Sequence, residues 1–409
     1  MIDLTELRKQ PEQFTKEIFK KDPSYNTELL INLDIQFRQM SVEIEQLRKE
    51  KNDLAKSFKG EITADVRQKS IEIGKSLKEK ETLLIELEKQ FTAHYLSCPN
   101  IMQADVPVGN KPENKEVRVF GKKPTFDFTV KDHVTLGNDL GWFDFAAATK
   151  IAGSNFALYK GEAVRLMYAL TRLMIKTNIK HGFELMLPPY MANAKSLEGS
   201  GQLPKFADGV YKIEGQDLYM IPTSEVSLLN YYRDTIFEAS DLPKRLTSWT
   251  SCFRREAGTY GSAERGLIRI HQFEKVELVS FTKPEHSNDE LERMVACGEE
   301  ILQQLGLHYK TMLLAAQDSG IASAKTYDIE VWMPGQNSYY EVSSASNCTQ
   351  YQARRAQVRY RTAEGKNEYV HTLNASSLAL PRLMVALMET YQQKDGSIKL
   401  PECLLDQGW

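Results

Sequence analysis

The sequence predicts an α+β protein: an antiparallel sheet flanked by helices, preceded by an antiparallel α-helical coiled-coil arm. Three observations predict it. Residues 27–95 hold no proline and only two glycines, Gly60 and Gly74, and place apolar residues every three or four positions. Residues 97–125 then turn rich in Pro, Gly and Lys, which marks a boundary. From about residue 126 onward, short strand-like runs and helices alternate with long loops, without a regular βαβ series.

In the arm, Leu30, Leu33, Phe37, Met40, Ile44, Leu47, Leu54 and Phe58 form one seam, with Lys51 in a vacant slot. Ile73, Leu77, Leu84, Leu87 and Phe91 form the second, with Lys80 in its gap. Between them KGEITAD (59–65) reads as a turn with an N-cap at Thr63 or Asp65. At 1.5 Å per residue the first helix reaches about 50 Å. Charge is sorted along the arm. Residues 46–80 carry ten Lys/Arg and six Asp/Glu, whereas 27–45 and 81–95 together carry two and seven. Mixed charge is ordinary on a solvated helical face. A basic tip on a protruding arm also suits a phosphate backbone.

These shifts divide the chain into a domain at 1–105 carrying the hairpin, a linker at 106–125 and a body at 126–409. In the body, 161–183 is a helix with apolar positions at Ala163, Leu166, Leu170, Leu173 and Met174, and Pro188 and Pro189 forbid its continuation. Runs 218–224, 250–256, 268–281 and 338–346 read as strands, and the segment ending at Tyr391 as a helix.

Composition excludes several classes. With 409 residues, 42% hydrophobic and 26% charged, the chain is neither disordered nor collagenous. No uncharged apolar run approaches the roughly 18 residues that cross a bilayer, so no membrane association is expected. The N-terminus has Asp3 and Glu6 and no apolar h-region, so a cytoplasmic protein is expected. Five scattered cysteines without C-x-x-C argue against disulfides and a cysteine-based zinc site. Seven histidines form no HExxH or HxxxH, and a net charge of −3 gives no whole-chain case for nucleic acid.

The usual phosphate cradles, GxxxxGK and GxGxxG, are missing, as is a G-x-S-x-G elbow. One region is dense in functional side chains, FRREAGTYGSAERGLIRIHQFEKVELVSF at 253–281. Strand alternation places Arg254 and Glu256 on one face, and Arg269, His271, Phe273, Lys275 and Glu277 on one face. Arg suits a phosphate, an aromatic ring suits a base and Glu accepts from an exocyclic amine. A charged, exposed sheet face would look the same residue by residue.

That stretch resembles motif 2 of the class II aminoacyl-tRNA synthetases, in the form found in the seryl-tRNA synthetase family. KHGFELMLPPYM and GSGQLPKF resemble motif 1 and its sequel. IPTSEVSL (221–228) resembles the serine-binding segment, YYEVSSASNCTQYQARRAQVRYR (339–361) a second signature, and NASSLALPRLMVALMETYQQKDGSIKLPECL (374–404) motif 3. The resemblance covers nearly the whole chain. It implies a class II sheet in a catalytic domain at 126–409 and a tRNA-binding arm before it. It implies activation of L-serine by ATP with Mg²⁺, then transfer to the 3′ end of tRNA(Ser), and of tRNA(Sec) where present, by a homodimer.

The resemblance also assigns residues. Arg254, Glu341 and Arg382 would be catalytic, with Arg254 on the α-phosphate and Arg382 at the γ-phosphate end. ATP would be held by these with Arg255, Glu256, Phe273, Val342, Ser343 and Ser344, and Mg²⁺ by Glu341 and Ser344. Serine would be held by Thr223, Ser224, Glu225, Glu277, Asn374 and Ser376. The tRNA would meet Arg48, Lys49, Lys51, Lys56, Lys59, Arg67, Lys69, Lys75 and Lys78. Glu341 and Ser344 are three apart, so sharing a metal requires a bulge. Asn374 and Ser376 could instead be an N-cap pair. Motif 3 departs from the family pattern at Ala375, Ser377 and Pro381, where many members have Gly, and motif 2 has Arg255 where Ser is common. The rival readings are a synthetase for threonine or proline, an inactive RNA-binding paralogue and a ligase loading a carrier protein. The serine-type signatures, the retained Arg254, Glu341 and Arg382, and the long arm weigh against them in turn.

Overall fold

The structure is a computed structural model and describes residues 1–56, 63–256 and 266–407. It divides into two compact units, Asp3–Pro99 and Met1–Ile2 with Asn100–Trp409.

The first unit is helical. α1 (Leu4–Lys9) and α2 (Pro11–Lys21) precede α3 (Thr27–Lys56) and α4 (Ala64–Ser97). Asp3 caps α1 by accepting from Thr5 N–H, and Pro11 opens α2, where a missing N–H costs nothing. α1 is too short to show a period, whereas α2 carries one, with Phe14 and Ile18 four apart and both buried. The expected seam is present: Leu30, Leu33, Ile44 and Ile73 are buried, and the Phe37 and Phe91 rings stack at 5.7 Å. Complete burial of one such leucine stabilises by about 1.5–3 kcal/mol. Tyr25 stacks on His94 at 4.7 Å and donates to its carbonyl at 3.0 Å, tying the base of the hairpin together. Buried Asp34 accepts from Arg8 at 2.6 Å and Arg38 at 3.0 Å. α4 starts directly after Thr63, whose backbone is extended but whose side chain makes no cap hydrogen bond. Phe58, Lys59 and most of the expected turn lie outside the described residues.

The second unit is built on an eight-stranded sheet. Its strands are β1 (Lys115–Phe120), β2 (Glu184–Met186), β3 (Lys244–Phe253), β4 (Gln272–Thr282), β5 (Tyr309–Leu313), β6 (Lys325–Met333), β7 (Ser338–Asn347) and β8 (His371–Ala379). The order is β1-β5-β6-β7-β8-β4-β3-β2, antiparallel except for the β2/β3 pair. The 106–125 segment is more than a linker: Lys115–Phe120 pairs with β5 along the sheet edge, its outward face left exposed. Its Pro, Gly and Lys content masks a short edge strand.

The helices are α5 (His133–Asp139), α6 (Phe145–Ala152), α7 (Glu162–Lys180), α8 (Ala194–Ser200), α9 (Glu225–Tyr231), α10 (Ser287–Gln304), α11 (Tyr351–Ala356) and α12 (Leu380–Tyr391). Leu166, Leu170 and Met174 of α7, Leu291 and Met294 of α10, and Leu383 and Leu387 of α12 share one core with Val276, Leu278, Leu373 and Ala375 of the sheet. Period-2 alternation turns the residues between them to the opposite face. There lie Lys275, Glu277, Asn374 and Ser376, and further along β4 the side chains Val279 and Phe281 meet Leu228 of α9 and Ala353 of α11.

Three expected strands are shorter than their sequence signal. In 218–224 only Tyr219–Met220 pairs, and the chain then enters α9. β3 stops at Phe253, so Arg254–Glu256 follow it as irregular backbone, Glu256 with φ +48°. β4 starts at Gln272, so Arg269 and His271 precede it rather than sharing its alternation.

Candidate active site

A cavity of about 280 Å³ opens on that face of the sheet. Arg254 enters from the end of β3. Its Nε donates to Pro222 O at 3.2 Å, and its guanidinium lies 5.1 Å from the centre of the Phe273 ring. Phe273 is half-buried and lines the cavity, so its ring edges the site and is not core alone. Glu256 also lines it and is paired with Arg269 at 2.6 Å. At the far wall Arg382, in the first turn of α12, donates to Glu341 O at 2.7 Å and to Ile268 O at 3.2 Å. Pro381 sits at the helix start, where it is harmless. Arg255 is exposed and its N–H bonds Gly209 O, away from the cavity lining.

The wall at 267–270 is irregular backbone held from outside. His133 Nε2 accepts from Leu267 N–H at 3.1 Å while Nδ1 faces Glu389 Oε1 at 3.1 Å, which puts the ring proton on Nδ1. Gly266, at φ +67°, passes so close that a Cβ there would stand 2.3 Å from His133 Nε2.

The bulge needed in β7 exists. Glu341 pairs with Glu330 and Ser343 with Ile329, so Val342 is the extra residue, and Ser344 then stands opposite Asp328. Asp328 is hydrogen-bonded by Ser344, and its proton affinity is raised well above the ordinary carboxylate range by burial and then by Glu341. Its Oδ1 is buried with no hydrogen-bond partner. Val342 lines the cavity from the core side. Ser343 does not face it: its hydroxyl donates across to Ser376 O in β8.

Next to the cavity lies a buried polar cluster. Glu277 Oε2 accepts from Thr223 at 3.0 Å and is paired with the Lys275 ammonium. Lys275 also donates to Thr223 Oγ1 at 2.9 Å, and Glu225 N–H does so at 3.2 Å. Glu225 Oε1 accepts from Gln352 at 2.5 Å and Asn374 at 3.0 Å. Burial, with the Glu277 charge second, pushes the Glu225 carboxyl up to about 7. Glu225 and Asn374 line an adjoining pocket of about 120 Å³ with Gly201, Ser346 and Cys348. Ser376 lines the larger cavity, directly across from Glu277 in register. The N-cap alternative for Asn374 and Ser376 fails, because β8 continues to Ala379 before α12 begins. Ala375 fills the core, and Ser377, at a second bulge, donates to Asn178 at 3.1 Å, so neither of these two motif 3 departures enters the cavity, whereas the third, Pro381, lines it.

The structure thus gathers Arg254, Glu256, Phe273, Glu341, Val342, Ser376 and Arg382 around one cavity, and Thr223, Glu225, Glu277 and Asn374 in the polar cluster beside it, while Ser344 stands opposite Asp328 outside the cavity lining. Ser224 is set apart, its hydroxyl buried and without a partner. Sequence reasoning gave no role to Lys275, Asp328, Gln352 or His133. Lys275 stood in the right alternation, between Phe273 and Glu277. The other three come from remote segments and carry no local signal. Of the arm's cations, Lys49, Lys51, Lys56, Arg67, Lys69, Lys75 and Lys78 are exposed, Arg48 is paired with Glu81 at 2.7 Å, and Lys59 lies outside the described residues.

Two guanidinium groups flank an aromatic wall beside a pocket of buried carboxylates, and the family model of the class II tRNA synthetase core domain (G, H, P, S and T) matches the residues that carry them, 210–391. The model of the seryl-tRNA synthetase N-terminal domain matches residues 1–102. A serine–tRNA ligase of Hydrogenobaculum is 43% identical over 99% of this chain and 98% of its own, and one of Solibacter usitatus 44% identical over 99% and 97%. The seryl-tRNA synthetase of Pyrococcus horikoshii, crystallised with ATP, superposes with a TM-score of 0.92 at 36% identity, covering 100% of this chain and 98% of that one. The chain belongs to the seryl-tRNA synthetase family, the serine–tRNA ligases. Among the described residues no helix is long and apolar enough to cross a membrane, no three His, Cys, Asp or Glu side chains cluster as metal ligands, and none of the five cysteines is in a disulfide.

Proposed function

We propose that the site performs serine activation and transfer with the residues described. A serine carboxylate oxygen attacks the α-phosphorus of ATP, the bond to the bridging oxygen breaks, and pyrophosphate leaves. The 3′-terminal hydroxyl of tRNA(Ser) then attacks the carbonyl of the seryl-adenylate and AMP leaves. The observation that carries the reading is the polarity of the site. Arg254 and Arg382 flank one end, suited to phosphates, while buried Glu225 and Glu277 form the other, suited to an ammonium and a hydroxyl. Arg254, half over the Phe273 ring, meets charge developing at the α-phosphate, and Arg382 holds the terminal phosphate. Phe273 stacks the adenine. Catalysis is positioning plus charge stabilisation.

The unpartnered Oδ1 of Asp328, beside Glu341 and Ser344, is an oxygen set that fits Mg²⁺. Glu341 and Ser344 would hold the ion, with Asp328 behind them, and it would neutralise phosphate charge when bound. The homodimer reading rests on an apolar groove of about 620 Å³ at the β2 edge and motif 1, where Leu187 is 77% and Tyr231 59% exposed. The exposed cations of the arm suit tRNA phosphates, tRNA(Sec) being a second substrate where it exists, and the reading places the protein in the cytoplasm. ATP–pyrophosphate exchange measured with each of the twenty amino acids tests the core of the proposal. Serine alone should support rapid exchange, and a different preferred amino acid would overturn it.

A further inference from the structure

Two carboxylates share the amino-acid pocket, and their surroundings differ. Glu277 is 2% exposed and has its own cation: Lys275, 5% exposed, two residues earlier on the same face of β4. Both contacts to Glu277 fall on Oε2. Thr223 closes the trio. Its single hydroxyl hydrogen goes to Glu277, and its two lone pairs accept from Lys275 and Glu225 N–H. Glu225 has neutral partners, Gln352 from α11 and Asn374 from β8, both on Oε1. Its other charged neighbours are Glu277 and Lys275 from β4 and Arg254 from the end of β3.

We propose that Lys275 is the positioning residue that divides the labour of the two carboxylates: it neutralises Glu277 through Oε2 and saturates Thr223, so that Glu277 reads the serine hydroxyl with its remaining oxygen while Glu225 receives the ammonium. The proposal rests on the serine-activation reading and deepens it. Charge balance drives the division. The Lys275–Glu277 pair is neutral as it stands and has no electrostatic need of a second cation, whereas ionised Glu225 lacks one until substrate arrives. Binding a group with both an ammonium and a neighbouring hydroxyl satisfies Glu225 and Glu277 together. An analogue without the hydroxyl leaves the Glu277 oxygen desolvated and unpaired, the arrangement that gives strong discrimination. Saturation of Thr223 also removes it as a direct serine contact and makes it the wedge that fixes the angle of Glu277.

The test is pyrophosphate exchange by Lys275→Met, by the double variant Lys275→Met/Glu277→Gln, in which residue 277 is no longer a carboxylate stripped of its cation, and by Lys275→Arg. Each is measured with serine and alanine from pH 6 to 9. In both Met variants the KM for serine should rise by about 100-fold and the preference for serine over alanine should fall by a similar factor, with the KM for ATP within about threefold of wild type. In Lys275→Met the acid limb of kcat/KM for serine should move to higher pH, because Lys275 holds the Glu225 proton affinity down. Lys275→Arg, which keeps the charge, should return the limb toward the wild-type position. A lysine that only props up the fold would lower activity without moving that limb or the serine-to-alanine ratio. The proposal is overturned if wild type shows serine-dependent exchange and the double variant keeps wild-type discrimination, or if Lys275→Met leaves the limb in place. Wild type without serine-dependent exchange would instead sink the reading on which it stands.

Discussion

Replacing Glu225 by Gln separates stability from function, and the structure sets the size of the effect. The carboxyl sits at about 7 in the folded protein against an ordinary 4.5, with burial the main cause and Glu277 the second. The sign follows from the folded state binding the proton more tightly than the unfolded chain. As pH rises through the interval from 4.5 to about 7 the folded state is progressively disfavoured, and above it the cost is complete. At about 1.4 kcal/mol per pH unit that cost is about 3 kcal/mol. Gln keeps the shape, and its Oε1 can still accept from Gln352 and Asn374. The variant should therefore match wild type in stability below pH 4.5 and exceed it above pH 7. At about 2 °C per kcal/mol for a large domain, the melting temperature at pH 8 should rise by about 6 °C. Serine-dependent pyrophosphate exchange should meanwhile fall by about 100-fold or more, because no carboxylate remains for the ammonium. Serine should raise the melting temperature of wild type at pH 8 and leave that of the variant unchanged. Equal melting temperatures at pH 8, or an unchanged KM for serine, would refute the reasoning.

Arg254→Ala should lower exchange by about 100- to 1000-fold with little change in melting temperature, since the side chain is exposed and bonds a single carbonyl. Alanine should be activated about 10⁴-fold less well than serine, and activation within tenfold would mean that Glu277 and Ser376 do not read the hydroxyl. Leu187→Arg should convert a dimer to monomer in sedimentation, because that side chain stands out of the apolar groove; a variant that sediments as wild type would remove the groove from the interface. Replacing Lys49, Lys69, Lys75 and Lys78 by Ala should weaken tRNA binding and flatten its salt dependence, by a slope of about 0.7–0.9 for each phosphate no longer neutralised, while exchange continues at the wild-type rate.

The arm was legible because its signal is long: thirty residues of α3 repeat one period, and a single face supplies Leu30, Leu33 and Ile44 to the seam. α1 and the edge strand Lys115–Phe120, six residues each, carry too few residues for a period to emerge, and the strand's outward face is exposed, so its composition reads as a loop, whereas α2 does carry a period in Phe14 and Ile18. The active-site strands misled in a different way. Arg254, Glu256, Arg269 and His271 look like continuations of alternating strands, but the chain leaves β3 after Phe253 and joins β4 only at Gln272. Arg254, Glu256 and Arg269 line the cavity because the backbone there is irregular, and a period-2 rule does not describe it, whereas His271 lies outside the cavity lining.

Local spacing and spatial partnership also part company within the amino-acid pocket. Phe273, Lys275 and Glu277 could be read together because β4 is regular there. Asp328, Gln352 and His133 could not, because each acts on a residue far from it in the chain, Asp328 beside Ser344, Gln352 on Glu225 and His133 on Leu267. All three are buried polar groups whose partners are fixed only by strand order and register, such as the pairing that sets Ser344 opposite Asp328. A sequence shows that a residue can donate or accept, but not which buried group would be left unsatisfied without it. That second fact decides function here. Glu225 has neutral partners and Glu277 has Lys275, so in the division proposed above two chemically identical side chains take different tasks from neighbours that arrive from α11, β8 and β4.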